Sequence, residues 1–111
     1  MIVESLGEII AERRVYLQAQ GVERREIIVR VGKPRPFPHP PEDYYVPYEL
    51  VGIKRDGLRY AAGVDAVQAL QLVMRMIGDD LHAIARAHHV TISWVAGSEG
   101  DSGFPTTVSA K

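Results

Sequence analysis

Three histidines are the first side chains in this sequence whose type could support chemistry. His82, His88 and His89 lie in one predicted helix, and Asp79 precedes His82 by three residues. Two imidazoles on a helix usually share a metal ion when they are four residues apart. His82 and His89 are separated by about 10 Å along a helix axis, which is too far for one ion. We therefore predict no metal site. We also predict no bound cofactor, because Gly97, Gly100 and Gly103 precede no predicted helix and so do not resemble a phosphate-binding loop.

A serine in the tetrapeptide Gly100-Asp101-Ser102-Gly103 is the next candidate, because the same order occurs around the nucleophile of chymotrypsin-like proteases. Such a serine needs a histidine base, a residue that orients the base, and an oxyanion hole. The protease architecture, with its two barrels, also needs a chain much longer than 111 residues. We predict a glycine-rich turn here and assign no catalytic residue.

Polar and aromatic side chains around a proline-rich segment form the candidate ligand site. Residues 33–43 hold five of the seven prolines, so they are predicted to be a stiff connection outside the sheet. A small enzyme or ligand-binding protein would use a cleft between this connection and the sheet. The candidate cleft residues are His39, Asp43, Tyr44, Tyr45 and Tyr48, with Phe37 as a further aromatic side chain for a stacking platform.

Alternating apolar and polar residues predict strands on both sides of the proline-rich connection. The first two strands are expected to form an antiparallel hairpin over residues 10–32. Asp56-Gly57 is a typical hairpin turn between the next two strands. The predicted strands lie at residues 13–19, 27–31, 44–53, 58–62 and 90–94.

One long helix is predicted to begin after Asp65, with Gln68 as the partner in a capping box. Its polar residues recur every three or four positions and leave an apolar arc of roughly 220°, against about 100° for a typical surface helix. Gly78-Asp79 offers an alternative, in which one helix ends and a second begins. In a continuous helix Asp80 lies near the apolar face, where a carboxylate must be paired or must cap something. It is therefore either a functional acid or, if the helix breaks at Gly78, the cap of that break.

These elements predict one α+β domain over residues 1–111, in which a mostly antiparallel sheet of about five strands carries one long amphipathic helix on one face. The core is expected over about residues 10–96, and residues 97–111 are expected to be an irregular tail. A chain of this size removes roughly two-thirds of its unfolded surface from water, which is enough for one core without disulfides or metals.

The apolar arc of the helix is wider than one face of a sheet can cover. Either the sheet curls around the helix, or a second copy of the chain covers the flank formed by Leu72, Met76 and Ala69. The leading hypothesis is therefore a non-catalytic protein-binding or assembly module that forms a homo-oligomer, most simply a dimer. A different protein could also bind by covering this apolar flank.

The charge pattern argues against nucleic acid as a partner. The formal net charge is -1 and the two signs are interspersed, whereas nucleic-acid binders cluster Lys and Arg to neutralise phosphates.

No apolar run approaches the roughly 20 residues of a membrane span, and residues 1–10 lack the basic start of a signal peptide. We expect a cytoplasmic protein without nucleic-acid or membrane partners.

Several segments together resemble a known family. They are Pro47-Tyr48-Glu49-Leu50-Val51-Gly52, Ala61-Ala62-Gly63-Val64-Asp65-Ala66-Val67-Gln68-Ala69-Leu70-Gln71-Leu72, Ile77-Gly78-Asp79-Asp80-Leu81 and Gly103-Phe104-Pro105. The resemblance covers roughly residues 10–105 and is to an uncharacterised family of small bacterial proteins, a domain of unknown function. It implies a bacterial source and an α+β domain, and it implies no catalytic or ligand-binding residue.

Overall fold

The computed structural model describes residues 5–38, 43–53 and 57–107. Within these residues one helix packs on a six-stranded antiparallel sheet, which confirms the α+β class with six strands in place of about five. In chain order the elements are β1 (Ile9–Gln18), β2 (Arg25–Gly32), β3 (Arg35–Pro36), β4 (Tyr44–Val51), β5 (Arg59–Gly63), α1 (Ala66–Ala87) and β6 (Thr91–Ser93).

Strands β1 and β2 form the hairpin that the alternating pattern predicts. Val15 lies opposite Ile27, and both side chains are fully buried together with that of Val29. Gly21 lies in the turn with a φ of 76°, a left-handed conformation that glycine adopts without steric cost. The hairpin contributes these three side chains to the core, while the helix itself lies closest to β5 and β4.

Strand β3 departs from the prediction, because it lies inside the proline-rich segment that was expected to stay outside the sheet. Arg35 pairs with Tyr45 of β4, and Tyr45 pairs on its other side with Ala62 of β5. Farther along β4, strand β2 pairs on the same side as β3, and there Val31 lies opposite Tyr48. Strand β3 therefore prolongs β2 along the same side of β4, and the sheet is five strands wide from β5 to β6.

Helix α1 begins at the predicted cap. The Oδ1 atom of Asp65 accepts a 2.8 Å hydrogen bond from the backbone N–H of Gln68, and Oε1 of Gln68 accepts one of 2.8 Å from the N–H of Val64. These bonds satisfy donors that the start of a helix leaves without intrahelical partners. Replacing such a cap with alanine costs about 1 kcal/mol of stability.

The helix continues for 22 residues through Gly78, so the alternative of a break at this glycine is wrong. Its buried side chains follow one another at four-residue spacing and face the sheet. They are Ala69, Val73, Ile77, Leu81 and Ala85. Complete burial of a valine, leucine or isoleucine side chain stabilises a fold by about 1.5–3 kcal/mol, and this stripe therefore anchors the helix to the sheet.

Candidate functional site

The two flanks of α1 have different surroundings, and these decide where another molecule could bind. Leu72, Met76 and Asp80 recur every four residues and so lie on one flank. The Oδ1 atom of Asp80 is 3.6 Å from Nη1 of Arg59, the first residue of β5. This side, called the β5 flank below, therefore borders the β5 edge of the sheet.

The three residues predicted to mediate self-association differ in exposure. Ala69 is fully buried within its own chain, so it cannot contact a second copy. Met76 is half-buried and packs against the hydrophobic core. Leu72 remains 37% exposed. The apolar surface of the β5 flank is therefore Leu72 with the outer part of Met76, which is less than the sequence predicts.

Strand β5 forms the edge of the sheet beside this flank. Among the described residues it pairs with β4 alone, so the main-chain groups on its outer side face no other strand. Tyr60 and Ala62 are both exposed on it. An unpaired edge can accept a strand from another molecule, and here it lies next to exposed hydrocarbon of the helix.

Residues 101–107, called the C-terminal segment below, pack on the opposite side of the molecule near β1. The guanidinium carbon of Arg13 lies 4.1 Å from the ring centre of Trp94 and 4.8 Å from that of Phe104. Its Nη1 atom also donates a 2.8 Å hydrogen bond to the carbonyl of Gly103. A cation stacked on two aromatic rings gains roughly 0.5–1 kcal/mol or more per ring, so Arg13 anchors this segment.

The C-terminal segment crosses the helix at Gly78. A side-chain carbon at this glycine would overlap the carbonyl oxygen of Pro105, so only glycine permits the approach. At the next position, Asp79 accepts hydrogen bonds from the hydroxyl of Thr107 and, at 2.8 Å, from its backbone N–H. These two bonds lower the pKa of the Asp79 carboxyl below its ordinary value, and the bond from the hydroxyl has the larger effect. The pKa falls because both bonds stabilise the charged form of the carboxyl.

The same segment covers part of the apolar arc that motivates the association hypothesis. Met74, on the helix flank toward β1, lines a small cavity together with Gly103, Phe104 and Pro105. The segment thus covers this flank around Met74, while Val67 near the start of the helix stays 62% exposed. The β5 flank differs in that its exposed hydrocarbon lies beside an unpaired strand edge.

The predicted cleft residues do not converge on one site. Strand alternation places Tyr44 and Tyr48 on the helix side of β4 and Tyr45 on the opposite face. Asp43 precedes the strand and is half-buried. His39 lies outside the described residues. The spacing of three residues between Tyr45 and Tyr48 already indicates opposite faces, and this signal is readable in the sequence.

Tyr45 joins an aromatic cluster on the outer face of the sheet. Its ring centre lies 4.8 Å from that of Phe37 and 6.0 Å from that of Tyr60. The guanidinium carbon of Arg35 is 5.1 Å from the Tyr45 ring. Part of the predicted aromatic platform is therefore present, as a packed cluster that joins β3, β4 and β5. Such aromatic pairs contribute about 0.5–1.5 kcal/mol each beyond the area they bury.

Tyr48 extends from β4 to the helix, where its hydroxyl donates a hydrogen bond to Oδ2 of Asp80. The tyrosine is 1% exposed, so its hydroxyl needs a partner. The Asp80 side chain is 18% exposed and also lies beside Arg59. Because the helix is continuous, Asp80 caps no break, and its carboxylate instead connects α1 to β4 and β5.

The outer face of β1, β2 and β4 carries paired charges. Arg30 lies 2.9 Å from Glu12 and 3.7 Å from Glu49, and Arg14 lies 3.3 Å from Glu26, measured between nitrogen and carboxylate oxygen. Exposed pairs of this kind contribute about 0–1 kcal/mol each to stability. They make the centre of this face polar, in contrast to the β5 flank.

The serine of the Gly100–Gly103 tetrapeptide has a structural role. Ser102 is buried, and its Oγ accepts a 3.2 Å hydrogen bond from the backbone N–H of Phe104, as in a turn. In the described ranges, no group of three or more His, Cys, Asp or Glu side chains could hold a metal ion. No helix in these ranges is both long enough and apolar enough to cross a membrane.

Sequence reasoning misses two features that shape the candidate site. The C-terminal segment has no periodicity, so nothing in its residues predicts contact with Gly78 or Asp79. The unpaired edge of β5 depends on strand order, which local patterns do not determine. Gly78 itself is a signal, because a glycine inside a helical pattern lowers helix propensity and often has a packing or functional reason.

The chain is similar to one known protein family over most of its length. A protein-family model described as a domain of unknown function (DUF6968) matches residues 11–106. This match confirms the resemblance to an uncharacterised family and covers nearly the same residues. No curated protein matches the chain, and no solved structure matches it.

Proposed function

The chain belongs to the DUF6968 family, and we propose that it is a non-catalytic assembly module that forms a homodimer through its β5 flank. One observation carries the proposal: the unpaired edge of β5 and the exposed side chain of Leu72 lie on the same side of the molecule. Main-chain hydrogen bonds and apolar contact can therefore form together in one interface.

The residues of β5 suit pairing with a second copy of the same strand. An antiparallel pair centred on Ala61 places Tyr60 opposite the partner's Ala62, so that a large side chain meets a small one. The same register places Arg59 opposite the partner's Gly63, so that like charges do not face each other across the strands. Two-fold symmetry then repeats each contact, as a closed dimer requires.

Pairing of the two β5 edges also brings the helices together. A continuous sheet through the two-fold axis keeps both helices on the same face, and each helix presents its β5 flank to the other. Strand β5 has only five residues, so its main-chain bonds form a short ladder. Contact between the two flanks, centred on Leu72 and the outer part of Met76, supplies the apolar burial that such a ladder lacks.

We further propose that the dimer acts in a bacterial cytoplasm. The resemblance to small bacterial proteins supports the source, and a fold without cysteine suits a reducing compartment. A different protein could bind the same edge in place of the second copy, by the same strand addition.

Leu72→Glu tests the proposal directly. It places two carboxylates against each other across the dimer axis and removes two apolar contacts. We expect the dimer dissociation constant to rise at least about tenfold, equivalent to 1.4 kcal/mol, while thermal unfolding of the monomer stays cooperative. Sedimentation equilibrium over a concentration series measures this constant.

Val67→Glu is the matched control, because Val67, like Leu72, is an exposed apolar residue of the helix but lies on another side of it. It is 62% exposed and precedes Met74 by seven residues, which places it on the flank toward β1. We expect this variant to dimerise like the unmodified chain. Equal weakening by both substitutions, or an unmodified chain that stays monomeric, would exclude the β5 flank as the interface.

A further inference from the structure

A cavity of about 660 Å³ lies where the second half of α1 meets the turn between β1 and β2. Its lining also includes Ile53, which follows β4, and Arg59 at the start of β5. Cavities that bind small molecules typically measure roughly 300–1,000 Å³. Leu72 and Met76 do not line it, but Asp80 and Arg59 do, so it adjoins the β5 flank farther along the helix.

The walls of this cavity are mainly hydrocarbon. Their apolar side chains are those of Leu17, Ile53, Ile84 and Val90, with Ala83 and Ala87 on the helix. The two alanines lie on the cavity side of α1, where larger side chains would fill the space. A ligand that fits these walls has an apolar body.

The polar part of the lining offers more hydrogen-bond donors than free acceptors. Arg25, Arg59 and His88 bring donors, and within the described residues the side chains of Arg25 and His88 make no hydrogen bond or ion pair. Asp80 already accepts a bond from a tyrosine hydroxyl of β4 and lies beside Arg59. Glu23, exposed in the turn, is the other acid of the lining.

We propose that this cavity binds an aliphatic monocarboxylate, with its carboxylate on Arg25 and Arg59 and its hydrocarbon chain along Ile84 and the two helix alanines. A guanidinium matches a carboxylate with two parallel hydrogen bonds. Glu23 and Asp80 in the lining repel a second acidic group, so a ligand with one carboxylate is favoured over a diacid.

Decanoate is the probe for this proposal, in a titration of the full chain followed by amide NMR shifts. We expect saturable shifts at residues 22–25 and 83–88 and none in the C-terminal segment. Decyltrimethylammonium has the same chain length with a positive head group and should bind at least about tenfold more weakly. Equal or tighter binding of the cation would overturn the proposal, as would decanoate shifts that are absent or confined to other residues.

Two variants separate the apolar walls from the charged head group. Ala87→Trp, at an exposed helical position, fills the cavity and should weaken decanoate binding at least about tenfold. Arg25→Gln should weaken decanoate about fivefold or more and leave binding of uncharged 1-decanol unchanged. Unchanged decanoate affinity in Ala87→Trp, with native amide shifts elsewhere, would contradict the assignment of the site.

Discussion

At the scale of single residues, the hydrogen bond between Tyr48 and Asp80 decides whether a tyrosine can be buried between sheet and helix. A buried hydroxyl without a partner costs stability, and so does a carboxylate that loses a donor. Here each group satisfies the other, and Arg59 balances the carboxylate charge from the side of β5.

Tyr48→Phe should therefore lower the free energy of unfolding by about 1–3 kcal/mol, because it leaves the Asp80 carboxylate without its hydroxyl donor. Urea denaturation measures this change. Tyr16→Phe is the control, since Tyr16 lies on the outer face against Arg24, and a surface change of this kind stays within about 0.5 kcal/mol. Equal losses in the two variants would show that the hydroxyl of Tyr48 has no special partner.

Asp79 makes the C-terminal segment sensitive to acid. Its pKa is lowered in the folded protein by the two hydrogen bonds from Thr107. The stabilisation is therefore fully present above the unfolded value of 3.8 and is lost as the pH falls through the lower, folded value. The Thr107 amide shift should follow this titration and lose the acid step in Asp79→Asn. A carboxyl of Asp79 that titrates at or above 3.8 would contradict the contact.

At the scale of elements, the C-terminal segment and helix α1 fit together because Gly78 has no side chain. Gly78→Ala gains up to about 1 kcal/mol of helix propensity, yet its new methyl group would overlap the carbonyl of Pro105. We expect the segment to be displaced, with faster amide exchange at residues 103–107 and altered Trp94 fluorescence.

Gln71→Ala is the control for that experiment, because it raises helix propensity at an exposed position. It should leave both the exchange rates and the fluorescence unchanged. Protection of the C-terminal segment that is the same in Gly78→Ala as in the unmodified chain would show that the close approach is absent.

The elements differ in how far the sequence predicts them. The hairpin and the helix have strong periodicity, and the helix start has a capping box, so both follow from local pattern. Strand β3 is missed because prolines oppose sheet formation, and a short pairing with β4 overrides that preference. The C-terminal segment is missed because its contacts with Arg13 and Asp79 join residues far apart in the chain, which no local pattern encodes.

At the scale of the whole molecule, polarity is distributed unevenly. The centre of the outer face carries ion pairs, the C-terminal segment covers part of one helix flank, and the β5 flank keeps an unpaired strand edge beside Leu72. On this last side the exposed apolar surface of the helix is smaller than the sequence predicts. Ala69 is covered by its own chain, and only part of Met76 remains for a partner.

The molar mass of the unmodified chain in solution tests the central claim most directly. Light scattering after size exclusion, from about 1 to 100 µM, spans the range in which a dimer of micromolar affinity forms. The β5 interface predicts a mass that rises to twice the 12.3 kDa of one chain. A mass that stays at 12.3 kDa across the whole range would contradict it.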